Sequence, residues 1–487
     1  MDKLKIFVKK YDFIFVFLVF NALLIIPTFG MKLYLYDELW NFSNVYKMAN
    51  GYKIYQECNV IVTPLFFYIG TFIFKIIGAN FFGFRIYSIL INSFLFTSIY
   101  TLFKSANINK KRSFIYSLIV LIILNESVFW GANYNNLAIA FSIFGITLFI
   151  KNKNAFWQGI IIFFVFMSKQ NIGVYYAIGI TIARLFKQKN IKKTIIETSI
   201  SGVVACGLVA LFLSYLHLTG NLYSFIDLTV MGLSEFAVQN IYATIANIGS
   251  IVFQVTIIIC ALVVTINKKI PLSDENRDSL KSLICFSIPI LMVEYPIFNL
   301  AHLALANMLI LITYLVLLEE MMFKDFLTKK QKNIISIILL MAIFLAISVS
   351  KVIGYIFVNF ETDRNSPYYG TKIDNETRDS MNIVCDYIKR NNEDDKRTVI
   401  VSYKANLYLN ILKQSNNKFD LPFYGNMGKD GEDGLISEID EMKNTYILIS
   451  RDKQLIQESE KIINYIKNNF ELVGKIDEFD IYKSHDM

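Results

Sequence analysis

The sequence predicts a polytopic α-helical membrane protein with a small α/β domain at its C-terminal end. Of 487 residues, 54% are apolar or aromatic and only 18% are charged, well below the quarter usual in soluble domains. Mean hydropathy is +0.44. Charge is divided along the chain: residues 1–353 hold 30 Lys and Arg against 16 Asp and Glu, whereas residues 354–487 hold 18 against 24. The net charge of +8 thus belongs to the apolar part and argues for a membrane surface, not for nucleic acid as a partner.

A helix crossing about 30 Å of hydrocarbon takes about 20 apolar residues, because each amide must bond within the helix. Eleven segments approach that standard, near 11–30, 82–103, 113–130, 134–150, 155–168, 171–186, 195–217, 246–266, 282–298, 300–318 and 333–353. With the N-terminus inside, the loops facing the cytoplasm carry 23 Lys and Arg, as the positive-inside rule requires. An odd number of spans puts the tail outside the plasma membrane. The basic-then-apolar N-terminus resembles a signal, but Pro27-Thr28-Phe29-Gly30 lacks a small-residue cleavage pattern, so it reads as a retained first span.

Residues 1–353 form the expected transmembrane domain, with a first outer loop over 31–84, and residues 354–487 the extracytoplasmic domain. In the tail, helix signals (Ser380–Arg390, Tyr403–Lys413, Lys453–Asn468) alternate with β-rich runs (Thr398–Ser402, Thr445–Ser450, Glu471–Lys475, Asp480–Lys483), the pattern of an α/β layer. Pro422–Gly434, with four Gly and three acids, reads as a loop. Cys58 and Cys385 both fall outside, where an oxidising compartment permits a bridge.

Charged groups beside apolar spans persist mainly where they line a polar cavity or do chemistry. Asp37 and Glu38 follow the first span. The next segment suits an interfacial helix, with Trp40, Phe42, Val45, Tyr46 and Met48 alternating with Asn41, Ser43, Asn44 and Lys47. After a turn at Asn50-Gly51-Tyr52, the run from Pro64 to Gly78 is short for a span and reads as a re-entrant or surface helix. Arg85, Lys169, Glu126, Glu294 and His302 map to the same outer level, a mixed-charge set suited to phosphate chemistry. Asp227 and Glu235 read as ordinary surface charges.

The elements Tyr36-Asp37-Glu38, Asn50 to Gln56 including Tyr55, Thr63-Pro64-Leu65-Phe66-Phe67-Tyr68, Ile77-Gly78 and Phe84-Arg85-Ile86-Tyr87-Ser88 resemble the first outer loop of C-type-fold membrane glycosyltransferases. This group uses polyprenyl-phosphate sugar donors and includes the protein O-mannosyltransferases and lipid A aminoarabinose transferases. Trp157-Gln158-Gly159 with Ser168-Lys169-Gln170, and Glu294-Tyr295-Pro296 with His302, extend the likeness more loosely. The resemblance implies inverting transfer of a sugar on the outer face from lipid phosphate to a hydroxyl or amine of an envelope glycan, lipid or protein. Asp37 would be the base and Glu38 its helper; Arg85 and Lys169 would grip the donor phosphate in a pocket shared with Asp37. Tyr55, Pro64, Glu126, Gln170, Glu294 and His302 complete the implied substrate-binding set. One departure stands out: relatives carry an aspartate where this chain reads Gly131-Ala132-Asn133-Tyr134-Asn135-Asn136, which puts an amide at one possible ligand position for a divalent metal ion. A transporter or an envelope-assembly scaffold is the alternative class, but only Pro289 sits well inside a span and the charges collect at one surface.

Overall fold

A computed structural model describes residues 12–123, 131–188, 190–232, 245–270, 272–294, 300–322, 361–393, 397–452 and 458–484. In chain order the helices begin with α1 (Asp12–Gly30), α2 (Asp37–Ala49), α3 (Leu65–Ile77), α4 (Phe81–Ser105), α5 (Lys110–Ile123), α6 (Tyr134–Ile150) and α7 (Ala155–Ser168). They continue with α8 (Gln170–Gln188), α9 (Ile191–Leu218), the short α10 (Leu222–Ile226), α11 (Ile245–Ile266), α12 (Asp274–Ile290) and α13 (Leu300–Met322). Eight of the eleven expected spans fall on described helices, 113–130 and 282–298 are helical over their described part, and 333–353 lies outside the described residues, as do Glu126 and Glu235.

Length separates these helices. Five of those described are long and apolar enough to cross a membrane: Asp12–Gly30, Phe81–Ser105, Ile191–Leu218, Ile248–Ile266 and His302–Glu320. Others are stopped early by local chemistry. The Asn154 side chain caps α7 by accepting from the Trp157 N–H, and the extended backbone of Lys169 ends it after 14 residues, about 21 Å of helix. The count of eleven therefore does not follow from helix length alone. Apolar side chains on α9 (Ile195, Val203, Leu211) and α11 (Val252, Val255, Val263) are exposed, an arrangement costly in water and cost-free in hydrocarbon.

The chain divides into two compact units. The first gathers Met1–Thr28, Ser88–Leu211 and Ile241–Phe357. Its helices approach closely where side chains are small: a Cβ on Gly145 of α6 would lie 2.2 Å from the Tyr176 hydroxyl of α8. Tyr176 in turn donates to Gln158 Oε1 at 2.9 Å.

The second unit gathers Phe29–Tyr87, Phe212–Asn240 and Val358–Met487, so the segment 31–84 groups with the tail and with the first turns of α4. The tail adds α14 (Asn375–Glu393), β1 (Arg397–Val401), α15 (Ala405–Leu412), α16 (Gly431–Asp440), β2 (Thr445–Ser450), α17 (Glu460–Asn469), β3 (Glu471–Ile476) and β4 (Phe479–Lys483). The sheet order is β1-β2-β4-β3; β1 runs parallel to β2 with Val399 opposite Ile447, and the other neighbours are antiparallel. Val399, Ile447, Leu435, Ile439, Ile462 and Ile466 form its core.

Four expectations change here. Helix α16 begins inside the run expected as a loop, because Leu435 and Ile439, one turn apart, bury one face. Helix α17 starts at Glu460, later than the sequence suggests, where the Ser459 hydroxyl accepts from the Ile462 N–H. Helix α2 is not an interfacial helix with a wet face: every residue from Glu38 to Lys47 is buried. Ser43 and Lys47 are matched by the tail, and Asn44 by the Trp40 and Asn59 carbonyls. Cys58 and Cys385 are both free and buried, so the bridge between them is not formed.

Candidate functional site

The site residues fall into the two units and are taken in turn. In the second unit, adjacent carboxylates at the start of α2 have opposite surroundings. Asp37 is the first residue of the helix and is exposed, placed where the helix dipole favours a negative charge. Burial, followed by the Asp37 charge, pushes the neighbouring Tyr34 phenol up to about 12.

Glu38 points the other way. It pairs with Arg85 of α4, and both side chains are wholly buried. Glu38 also accepts from the Tyr34 N–H at 3.1 Å. Arg85 donates to the Lys32 carbonyl at 3.3 Å and lies 5.0 Å over the Phe81 ring. Burial raises the Glu38 carboxyl while the Arg85 charge pulls against it.

These positions correct two expectations. Glu38 is not open to an acceptor beside Asp37, and Arg85 does not face a donor phosphate, because each charge is spent on the other. Tyr55 and Pro64 are likewise inside the loop. Tyr55, buried with φ +68, donates to the Val62 carbonyl at 3.1 Å and meets the edge of Phe225 at 5.1 Å. Pro64 is the buried residue that opens α3.

Asp227 departs from the sequence reading as well. Instead of a surface charge, it is 8% exposed and lies in a π-helical turn, Asp227–Met231. Its carboxylate accepts from the Lys429 N–H at 2.7 Å and pairs with Lys418 at 3.2 Å. Gly428 is required there, since its φ is +79 and a Cβ would lie 2.4 Å from Asp227 Oδ2. Lys47 of α2, which the sequence did not single out, pairs with Asp420 with both 2% exposed. A buried Lys at the end of a mixed-polarity helix was the available signal.

In the first unit, Lys169 is buried between α7 and α8. Its ammonium donates to Asn135 Oδ1 at 2.6 Å and stands 5.5 Å over the Tyr134 ring. The amide turn Asn133–Asn136 therefore holds a lysine, with Asn133 capping α6 through the Asn135 N–H at 2.7 Å. His302, the second residue but one of α13, lies within electrostatic range of Lys169. Gln170, partly exposed, opens α8. Glu294 accepts from Gln254, which also donates to Asn307 Oδ1 at 3.0 Å.

A divalent metal ion would need several anionic or imidazole ligands together. Among the described residues no three His, Cys, Asp or Glu side chains gather in that way. Glu38 is neutralised by Arg85, and the Asn135 amide oxygen takes an ammonium. Among the described residues, this donor set does not fit a metal.

No protein-family model matches the chain, and no curated protein matches it in sequence. Among solved structures, the chain is similar to the oligosaccharyltransferase of Archaeoglobus fulgidus, crystallised with zinc and sulfate, with a TM-score of 0.52 and 11% identity over 96% of this chain and 73% of that one. At that identity the likeness is one of fold. In coarse outline the chain shares the fold of a membrane glycosyltransferase.

Proposed function

We propose that this protein is a membrane glycosyltransferase that moves a sugar from a polyprenyl-phosphate donor to a hydroxyl or amine on the outer face of the plasma membrane. The observation that carries the reading is the contrast at the start of α2, where Asp37 stands exposed while Glu38 is locked onto Arg85. A base needs an open carboxylate held in a fixed place, and the buried pair supplies the fixing. The fold shared with an oligosaccharyltransferase supports the same class of chemistry.

In this reading Asp37 accepts the proton of the acceptor O–H or N–H as that atom attacks the anomeric carbon. The bond from that carbon to the phosphate oxygen breaks, and the lipid phosphate leaves with the electron pair, so configuration at the carbon inverts. A cation beside the departing phosphate offsets its growing charge. Glu38 and Arg85 act as positioning residues for Asp37.

Purified full-length protein given polyprenyl-phosphate mannose, glucose and N-acetylglucosamine in turn, with envelope extract as acceptor, tests the reading. Asp37→Asn is expected to lower transfer by about 10²–10⁴-fold while its detergent elution profile stays unchanged. Wild-type rates in that variant remove Asp37 as the base.

A further inference from the structure

Helix α2 is gripped by the C-terminal layer at three points along one face. Tyr36, Ser43 and Lys47 are spaced seven and four residues apart, which places them in one row. The Tyr403 ring stacks on Tyr36 at 4.9 Å and 12°. Asn410 donates to the Ser43 hydroxyl at 2.7 Å. Lys47 donates to Asn406 Oδ1 at 3.0 Å and pairs with Asp420.

Two of the gripping groups are themselves held. Asp420 accepts from the Asn416 N–H at 3.0 Å, and Asn410 donates to the Tyr368 hydroxyl at 3.1 Å. That hydroxyl lies 2.9 Å from the Leu407 carbonyl to which it donates. Three of the partners come from α15 and its preceding turn, and Asp420 closes the short helix Asn417–Asp420.

A buried ion pair is weak evidence for stability, since two desolvated charges cost about what they return; its clearer use is to select one register. Any slide or rotation of α2 would leave the Lys47 ammonium buried without its carboxylate. We propose that Lys47 and Asp420 are positioning residues, through which the C-terminal layer sets the register of α2 and with it the placement of Asp37 about 15 Å away along the helix. This rests on the reading of Asp37 as base, and it gives the tail a task in the reaction. The C-terminal layer is then part of the catalytic apparatus without touching the reacting atoms.

The test uses the full chain in detergent as wild type, Asp420→Asn, Asp420→Glu, and the exchanged pair Lys47→Asp with Asp420→Lys. Amide exchange is followed over residues 37–49 and over β1 and β2, and turnover is measured with the three polyprenyl-phosphate sugars named above. Asp420→Asn is expected to speed exchange over 37–49 by about tenfold or more with the strands unchanged. Its kcat falls at constant donor KM, and Asp420→Glu and the exchanged pair recover most of both losses. Unchanged exchange over 37–49, or equal acceleration in the strands, overturns the proposal. Altered exchange with kcat intact overturns it too. If wild type turns over none of the donors, the glycosyltransferase reading fails, and the exchange data alone decide whether the pair sets the register of α2.

Discussion

Glu38 and Arg85 neutralise each other inside the second unit with no exposed surface on either side chain. Removing one partner strands a charge where water cannot reach it, which costs about 3–5 kcal/mol. Glu38→Gln and Arg85→Met are each expected to lose that much, whereas the double variant regains most of it. Thermal unfolding in detergent checks this, and simple additivity of the two losses would sink it.

Lys169 is the cation held nearest to an open role. Lys169→Met is expected to weaken donor binding by about 10–100-fold, the loss of one charge-assisted hydrogen bond of about 1.5–3 kcal/mol. Asn135→Ala, which keeps the ammonium and removes its contact with Asn135 Oδ1, has a smaller effect. Titration with a polyprenyl phosphate lacking the sugar reads both, and equal affinity in Lys169→Met would refute the assignment.

Burial pushes the thiols of Cys58 and Cys385 up to about 12 each, and only a thiolate attacks readily. Neither is expected to react with a maleimide at pH 7.5 until the protein is denatured. Mass spectrometry of peptides labelled before and after denaturation decides the matter. Early labelling of Cys58 would mean that the outer loop opens.

Asp374 caps α14, accepting from the Thr377 N–H at 2.9 Å, and that bond holds its carboxyl below the ordinary 3.8. A folded value below the unfolded one stabilises fully above pH 3.8 and is lost as pH falls through the lower folded value. Asp374→Ala is therefore expected to cost about 1 kcal/mol at neutral pH and progressively less in acid. Amide exchange over 375–393 at pH 7 and pH 3 measures the difference; a penalty that grows in acid has the wrong sign.

Much of this was legible in the sequence because it depends on neighbours along the chain. Apolar runs marked the helices, and alternation in the tail marked all four strands. The helix capped by Asn154 begins where the sequence puts it, at Ala155, while the Ser459 cap starts α17 seven residues after Lys453. What escaped reading depends on partners far away. Asp227 looked like a surface acid because Lys418 and Lys429 lie about 200 residues downstream. Arg85 looked like a ligand for phosphate because its partner, Glu38, had been assigned to the reaction itself. The buried polar face of α2 looked wet for the same reason: nothing local says that Asn410 and Asp420 will cover it.

The separation of Lys47 from Asp420, 373 residues, has a consequence for biosynthesis. At about 5–20 residues per second, the ribosome needs on the order of 20–75 s to deliver the aspartate after the lysine has emerged. Throughout that interval the nascent outer loop carries an unmatched ammonium and half-made contacts. Maturation of the loop must wait for synthesis of the tail, so a premature stop before Asp420 would spoil not just the last domain but also the segment 31–84 made long before it.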